Sequence, residues 1–401
     1  MRYFIQSIIG IFLIGLCLVS TSCRDNNDVI SDQVSFGDGM CEGDGCLVVD
    51  DVSDDNLENI DMTTPVEPGV VYITMMVHIE GWTNENTLQE SFEEHADVVR
   101  RFAALFTEHN AKATFEAKPS FVEGCSKWND NVLLELYNEG FGIGVHADAG
   151  GQVEQDNLTQ EQFTKQIAEM KTNIEAVLGY EVRHVSGICS TLDWVKAAID
   201  AGYSFTSGMV GYCAMSLPEE ERPDEYKDCV APSQCHGEIP LALEDRVHPW
   251  RASSGLNWTV DDPEGDLIIF APENILSTIG EGNSTFDDAD IEEYIKRLDE
   301  AITYSEEGKI TTLYVGWSIG DSDIDEEMME KWFDAIEPYI DSGKVKWKTL
   351  PEMYDAYIEG FYLSFSPLSC YKMLVSFDLL CLCLIEGADT QAERSFCGRL
   401  L

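Results

Sequence analysis

Val70-Val71-Tyr72-Ile73-Thr74-Met75-Met76-Val77-His78-Ile79-Glu80-Gly81 is the stretch on which the fold turns. Val70 to Val77 is an apolar, β-branched run, the mark of a buried strand. The chain then changes period. From Leu88 to His109, the residues Phe92, His95, Val98, Val99, Phe102, Leu105 and Phe106 recur at helical spacing along one side. A buried strand followed by an amphipathic helix predicts one unit of an α/β sheet.

The unit repeats. Strands are expected at Ala113–Ala117, Phe141–His146, Val182–Ser186, Tyr203–Ser207, Asp266–Ala271, Thr311–Trp317 and Val345–Lys348. Helices are expected at Asn131–Asn138, Gln160–Leu178, Thr191–Ala201, Ile291–Tyr304, Ile324–Ile336 (stopping near Pro338) and Pro351–Tyr357. Residues 208–265, rich in Pro, Gly and Cys, read as irregular. Repeated strand–helix alternation predicts a parallel sheet with helices outside, and this many units favour an irregular (β/α)7-8 barrel over an open sheet. Chemistry in such barrels sits at the C-terminal ends of the strands.

Composition narrows the partners. The 401 residues carry 74 acidic and 25 basic side chains, a formal charge of −49, yet 44% are hydrophobic, enough for a core. Such a charge argues against nucleic acid, which demands Lys and Arg for its phosphates, and against docking on anionic lipid. It suits an exported protein facing a salty medium.

The ends extend that reading. Met1-Arg2, an apolar run from about Ile5 to Val19, and Ser20-Thr21-Ser22 before Cys23 form a secretory signal over 1–22. The small residues before Cys23 resemble a bacterial lipoprotein box, so the expected membrane contact is a lipid at Cys23; an ordinary signal peptide with an incidental Cys is the alternative. Residues 23–69 are rich in Asp and Glu and read as a solvated, disordered tether. The barrel is expected over 70–360. The segment 361–401, with Cys370, Cys381, Cys383 and Cys397, is compositionally foreign to the rest. No pair shows Cys-x-x-Cys zinc spacing; export makes disulfides the expectation, with Cys213, Cys229 and Cys235 close enough to supply one and the pairing open.

The strand ends carry the chemistry. His78 and Glu80 are two residues apart at the end of the first strand and so share one face; His146 and Asp148 repeat the pattern at the end of the third. Two His-x-acid pairs on neighbouring strand ends make an imidazole–carboxylate constellation of the kind that holds a metal.

In this order of elements the chain resembles the polysaccharide deacetylases of carbohydrate esterase family four. Their first motif, Thr-Phe-Asp-Asp-Gly, is matched by Val77-His78-Ile79-Glu80-Gly81, with Glu80 at the metal-binding Asp and Ile79 at the catalytic-base Asp. Their Ala-Thr-Phe-Phe strand is matched by Ala113-Thr114-Phe115-Glu116. In the second motif His146 matches the first metal His, and Gly150 stands at the second, with Asp148 as its substitute. Arg183 to Gly187 matches an Arg-x-x-x-Gly motif whose Arg orients a carboxylate; the strand ending at Trp317 lacks the family's last His.

The resemblance implies an exported hydrolase that removes N-acetyl groups from a glycan with a divalent metal, zinc by preference, held by Glu80, His146 and Asp148. His78 or Asp148 would be the general base, His248 the general acid and Arg183 a carboxylate's support. Trp82, Trp250 and Trp317 would stack on sugar rings. The alternatives are a retired barrel that binds glycan at the cell surface, and a glycoside hydrolase of related fold using Glu80 and Asp148 as paired carboxylates.

Overall fold

The protein is described by a computed structural model that covers residues 69–81, 84–149, 158–239, 241–271, 287–306, 309–319 and 325–364. Residues 1–68, which hold the expected signal, Cys23 and the acidic stretch, and residues from 365 onward lie outside the described residues. Among the described residues no helix is long and apolar enough to cross a membrane.

The opening stretch forms β1 (Val71–Ile79), the axis of the sheet. Along its length it pairs in parallel with β8 (Thr311–Ile319). With its last five residues, Met75 to Ile79, it pairs with β2 (Ala113–Ala117), and with its first three it pairs with β9 (Val345–Trp347). Next to β2 follow β3 (Gly142–His146), β4 (His184–Ser186), β5 (Phe205–Thr206), β7 (Leu267–Ile269) and β6 (Trp250–Ala252). Every pairing is parallel except β6 against β7. The irregular barrel expected from the alternation is therefore present. β6 is the strand that the sequence hid: three residues in a segment of loops, short 3-10 helices and a single helical turn.

No ladder joins β8 to β6 among the described residues, but the seam is tied. Thr312 N donates to Val247 O at 2.7 Å, just before β6. Deeper in, the Tyr314 hydroxyl donates to Phe270 O at 2.8 Å and accepts from Gly208 N at 2.8 Å, so one fully buried side chain of β8 reaches β7 and the end of β5.

Alternation along the strands sorts residues into two faces. Val71, Ile73, Met75, Val77 and Ile79 of β1 pack outward under α1 (Gln89–Glu108), whose buried stripe includes Phe92, Val99, Phe102 and Phe106. Each buried Phe there contributes on the order of 2–3 kcal/mol by area removed from water. The rest of the outer layer is α2 (Pro119–Lys127), α3 (Val132–Asn138), α4 (Gln160–Leu178), α5 (Trp194–Asp200), the single turn α6 (Leu243–Arg246), α7 (Asp288–Tyr304) and α8 (Glu326–Asp341). Local chemistry sets their ends: Thr159 and Gln162 make a reciprocal capping box on α4, which stops at Gly179 with φ 79°. Asp325 caps α8 through Met328 N at 3.1 Å. α8 does not stop near Pro338; it runs on to Asp341, because a proline so near the end forfeits only one of the helix's bonds.

The inner face is apolar at the bottom and polar at the top. Met76, Phe205, Ile268, Phe270 and Tyr314 meet Leu350 and Met353 of α9 (Leu350–Ser364), which closes the N-terminal end of the strands; Leu350 N donates to Thr114 Oγ1 at 2.9 Å. Above that plug, toward the strands' C-terminal ends, the inward residues become His, Glu, Ser, Lys and Asp.

Two disulfides lie in the 189–235 region, Cys189–Cys213 and Cys229–Cys235. Cys125 is a free, buried thiol, and burial pushes its pKa up to about 12.

Candidate active site

Residues at two-residue spacing on neighbouring strands build the polar end of the barrel. β1 contributes His78 and Glu80, β2 contributes Glu116 and Lys118, β3 contributes His146 and Asp148, and β4 contributes His184 and Ser186. Register places His78 beside Glu116 on one side and Ser318 on the other, and His146 beside Ser186. Ser207, just after β5, completes the set.

The lower tier is organised by Glu116, a fully buried carboxylate. Ser186 Oγ donates to its Oε2 and Ser207 Oγ to its Oε1, the latter at 2.9 Å. His184 Nε2 stands 3.0 Å from Oε1, and His78 Nε2 stands 3.1 Å from Oε2. Four polar neighbours replace the water that burial removes, which is what an interior carboxylate requires. The His184 ring fits because residue 144 is glycine: a Cβ there would lie 2.3 Å from His184 Nδ1.

The upper tier faces the opening. His146 Nε2 is 3.1 Å from Glu80 Oε2 and 3.3 Å from Asp148 Oδ1. Ser318 Oγ donates to Glu80 Oε1 at 2.8 Å. Lys118 Nζ lies 3.1 Å from Glu80 Oε2 and 2.7 Å from Asp148 Oδ2. Asp148 takes a left-handed backbone, φ 45°, rare for a residue with a side chain. Ala147 N and Ala149 N hold it there by donating to Ser186 O and Gly187 O at 3.0 and 2.9 Å.

Proton order follows from these contacts. A carboxylate accepts only, so the Ser186 hydroxyl spends its hydrogen on Glu116 and takes one from His146 Nδ1, 2.9 Å away. His146 therefore carries a proton on Nδ1, and Nε2 is the atom left to act at the opening.

The charges reinforce one another. Burial pushes Glu80 up, but His146 and His78 outweigh it and hold the carboxyl well below the usual range. Burial likewise opposes the His184 and His78 interactions that keep Glu116 ionised, and the His146 and Lys118 interactions that keep Asp148 so. Burial pulls His78 down, but Glu116 and Glu80 push it up to about 10. His146 is lowered by burial and by the His78 charge, yet Asp148 and Glu80 leave it raised.

Glu80, His146 and Asp148 place one donor atom each within 4.8 Å of one another, as do His78, Glu116 and His146. One imidazole and two carboxylates suit a divalent cation such as zinc. As arranged, though, the set does not fit a resident ion, because the ammonium of Lys118 already sits on both carboxylates. In the second group the oxygens of Glu116 already accept hydroxyl protons.

Of the residues singled out in the sequence, His78, Glu80, His146 and Asp148 come together here. Others do not. Arg183 precedes β4 and pairs with Asp355 of α9 at 2.8 Å, at the plugged end of the barrel. His248 also lies at that end, its ring nitrogens 3.1 Å from Ile310 O and 3.2 Å from Tyr304 O, just before β8 starts. Neither reaches the polar cluster, because strand ends at the bottom face away from it. Trp250 is buried on β6, its indole N–H donating to Trp258 O at 2.6 Å, so it offers no open face to a sugar. Trp82, Gly150 and the side chain of Trp317 lie outside the described residues. Glu116, Lys118, His184, Ser186, Ser207 and Ser318 were not foreseen as site residues; for Glu116 and Lys118 the signal was the same two-residue spacing at a strand end.

No family model matches the chain, and no curated protein matches it either. Among solved structures it is similar to an allantoinase, Puue, at 11% identity over 71% of this chain and 89% of that one, with a TM-score of 0.45. It is similar to a 4-alpha-glucanotransferase from Thermococcus litoralis at 15% identity and a TM-score of 0.44, covering 72% of this chain and 40% of that one. A peptidoglycan deacetylase, PdaC from Bacillus subtilis, aligns at 13% identity over 75% of this chain and 96% of that one, with a TM-score of 0.32. The chain thus spans well under half of the glucanotransferase it resembles.

Proposed function

We propose that the chain is an exported hydrolase that removes N-acetyl groups from a polysaccharide or oligosaccharide, with the upper tier as its active site. The observation that carries this reading is the approach of His146 Nε2 to Glu80 Oε2 and Asp148 Oδ1, at 3.1 and 3.3 Å, at the C-terminal mouth of the barrel. The motif resemblance around Glu80, His146 and the Ala113-Thr114-Phe115 strand supports the same activity.

The chemistry asks three things of the site. A carboxylate takes a proton from water as its oxygen adds to the acetyl carbon; Asp148, the more exposed of the two, is placed for it. A hydrogen-bond donor steadies the oxygen that gains charge; Lys118 Nζ, an ammonium with three hydrogens, faces the opening. A proton then passes to the departing amine as the carbon–nitrogen bond breaks, leaving acetate and a free amino sugar. His78, held as an imidazolium by two carboxylates, is a proton stored beneath the opening. Zinc is the ion that the donors would suit, and it can enter only by displacing Lys118.

Acetate release from chitooligosaccharides by the full chain tests this reading, with His146→Ala and Glu80→Gln as controls. Release by the wild type and its loss in both variants supports it; no release refutes it. One observation favours a second reading, a barrel that binds glycan without cleaving it: Ile79 occupies the position of the family's base. Glycan binding without acetate release marks that outcome. Export with a lipid at Cys23 belongs to the same proposal; labelling by a radioactive fatty acid, abolished in Cys23→Ala, is its check.

A further inference from the structure

We infer that Lys118 is the resident cation of this site: its ammonium takes the place between Glu80 and Asp148 that a divalent metal would take, and the protein works without one. The inference rests on the reading of the upper tier as the active site, but its test is of metal affinity and stands apart from activity.

The geometry carries it. Lys118 Nζ contacts Asp148 Oδ2 at 2.7 Å and Glu80 Oε2 at 3.1 Å. That Glu80 oxygen is also the one 3.1 Å from His146 Nε2. The ammonium thus holds the Glu80 oxygen that faces His146, and it holds Asp148 through Oδ2, next to the Oδ1 that faces His146. Two carboxylates this close repel unless a cation lies between them, and the lysine meets that need from within the chain.

The lysine is also placed from behind. Lys118 follows the last residue of β2, on the inward face it shares with Glu116, and its backbone N donates to Ile79 O at 3.4 Å, one residue before Glu80. Pro119 follows at the start of α2, where a fixed φ suits the first turn. The Lys118 side chain is 28% exposed, so the charge faces both the carboxylates and the barrel mouth. An ammonium there is a hydrogen-bond donor aimed at an incoming oxygen, and it supplies without a metal the fixed positive charge that polarises an acyl group.

Replacing Lys118 by an uncharged residue of similar length should therefore turn a metal-excluding site into a metal-binding one. The experiment titrates zinc into the full wild-type chain, Lys118→Met, Lys118→Arg and Lys118→Met/His146→Ala by calorimetry, after dialysis against chelator, with bound metal counted by elemental analysis. The expected result is wild-type and Lys118→Arg proteins without stoichiometric zinc, Lys118→Met with an affinity at least tenfold higher, and loss of that gain in the double variant. A wild-type protein that holds one equivalent of zinc overturns the inference, whether or not the variants fold. So does a folded Lys118→Met protein with wild-type affinity. Absence of acetate release alongside the expected zinc results refutes the hydrolase and leaves the cation assignment standing.

Discussion

His78 and His146 stack, their ring centroids 3.8 Å apart and their planes 22° from parallel. The two rings tie the tiers of the site together: His78 reaches down to Glu116, and His146 reaches out to Glu80 and Asp148. Adjacent imidazoles repel when both are charged, and three carboxylates around them offset that repulsion.

Stability should respond to pH through this pair. The folded-state pKa of His78 is raised from 6.5 to about 10, so its contribution is fully present below 6.5 and is lost as pH rises through 10. Glu80, Glu116 and Asp148 are depressed, so theirs is present above the unfolded carboxylate range and lost as pH falls below it. Melting temperatures across pH should peak between these limits, and His78→Gln should flatten the alkaline side. An unchanged alkaline slope in that variant contradicts the arrangement.

Ser186→Ala should remove a hydroxyl from Glu116 and an acceptor from His146 Nδ1 together. A buried polar group left without its partner costs about 1–3 kcal/mol. Urea unfolding should show a loss of that size in Ser186→Ala, with a smaller further loss when Glu116→Gln is added, since the two share one interaction.

Gly144→Ala places a methyl 2.3 Å from His184 Nδ1. Overpacking of this kind costs about 1–3 kcal/mol. The double variant Gly144→Ala/His184→Ala should recover part of that penalty; a double variant no better than the sum of the two singles shows that the clash is not with His184.

Peptide mapping of the non-reduced protein should find Cys189 joined to Cys213 and Cys229 to Cys235. Closing a loop of 24 residues stabilises by about 3 kcal/mol in the chain-entropy account, so reduction should lower the melting temperature. Cys125 should stay unmodified by a thiol reagent at pH 8 in the folded protein, because a thiol raised to about 12 holds almost no thiolate there. Rapid labelling of native Cys125 would contradict its burial.

The fold was legible because each long strand is a buried apolar run, and each long helix shows its stripe: β1, α1 and α4 could be read residue by residue. What escaped is short. β6 is Trp250-Arg251-Ala252 inside a turn-rich segment, and α2 begins at Pro119 with too few residues for a period to show. Four of the ten residues of the candidate site were legible by one rule, that residues two apart at a strand end share a face: His78, Glu80, His146 and Asp148. The rule reaches Glu116 and Lys118 as well, but a carboxylate followed by a lysine does not look like a ligand pair. Ser186, Ser207 and His184 act through burial, and nothing in their identities signals that they surround a carboxylate on another strand. Arg183 and His248 mislead for a reason of polarity: both precede their strands, and so lie at the end that α9 closes.

The most direct test of the account is acetate release from chitooligosaccharides by the full chain, measured with and without a strong chelator. The account predicts release that the chelator leaves unchanged and that His146→Ala abolishes. No release by the wild type, or a rate that falls with chelator and returns with zinc, contradicts it.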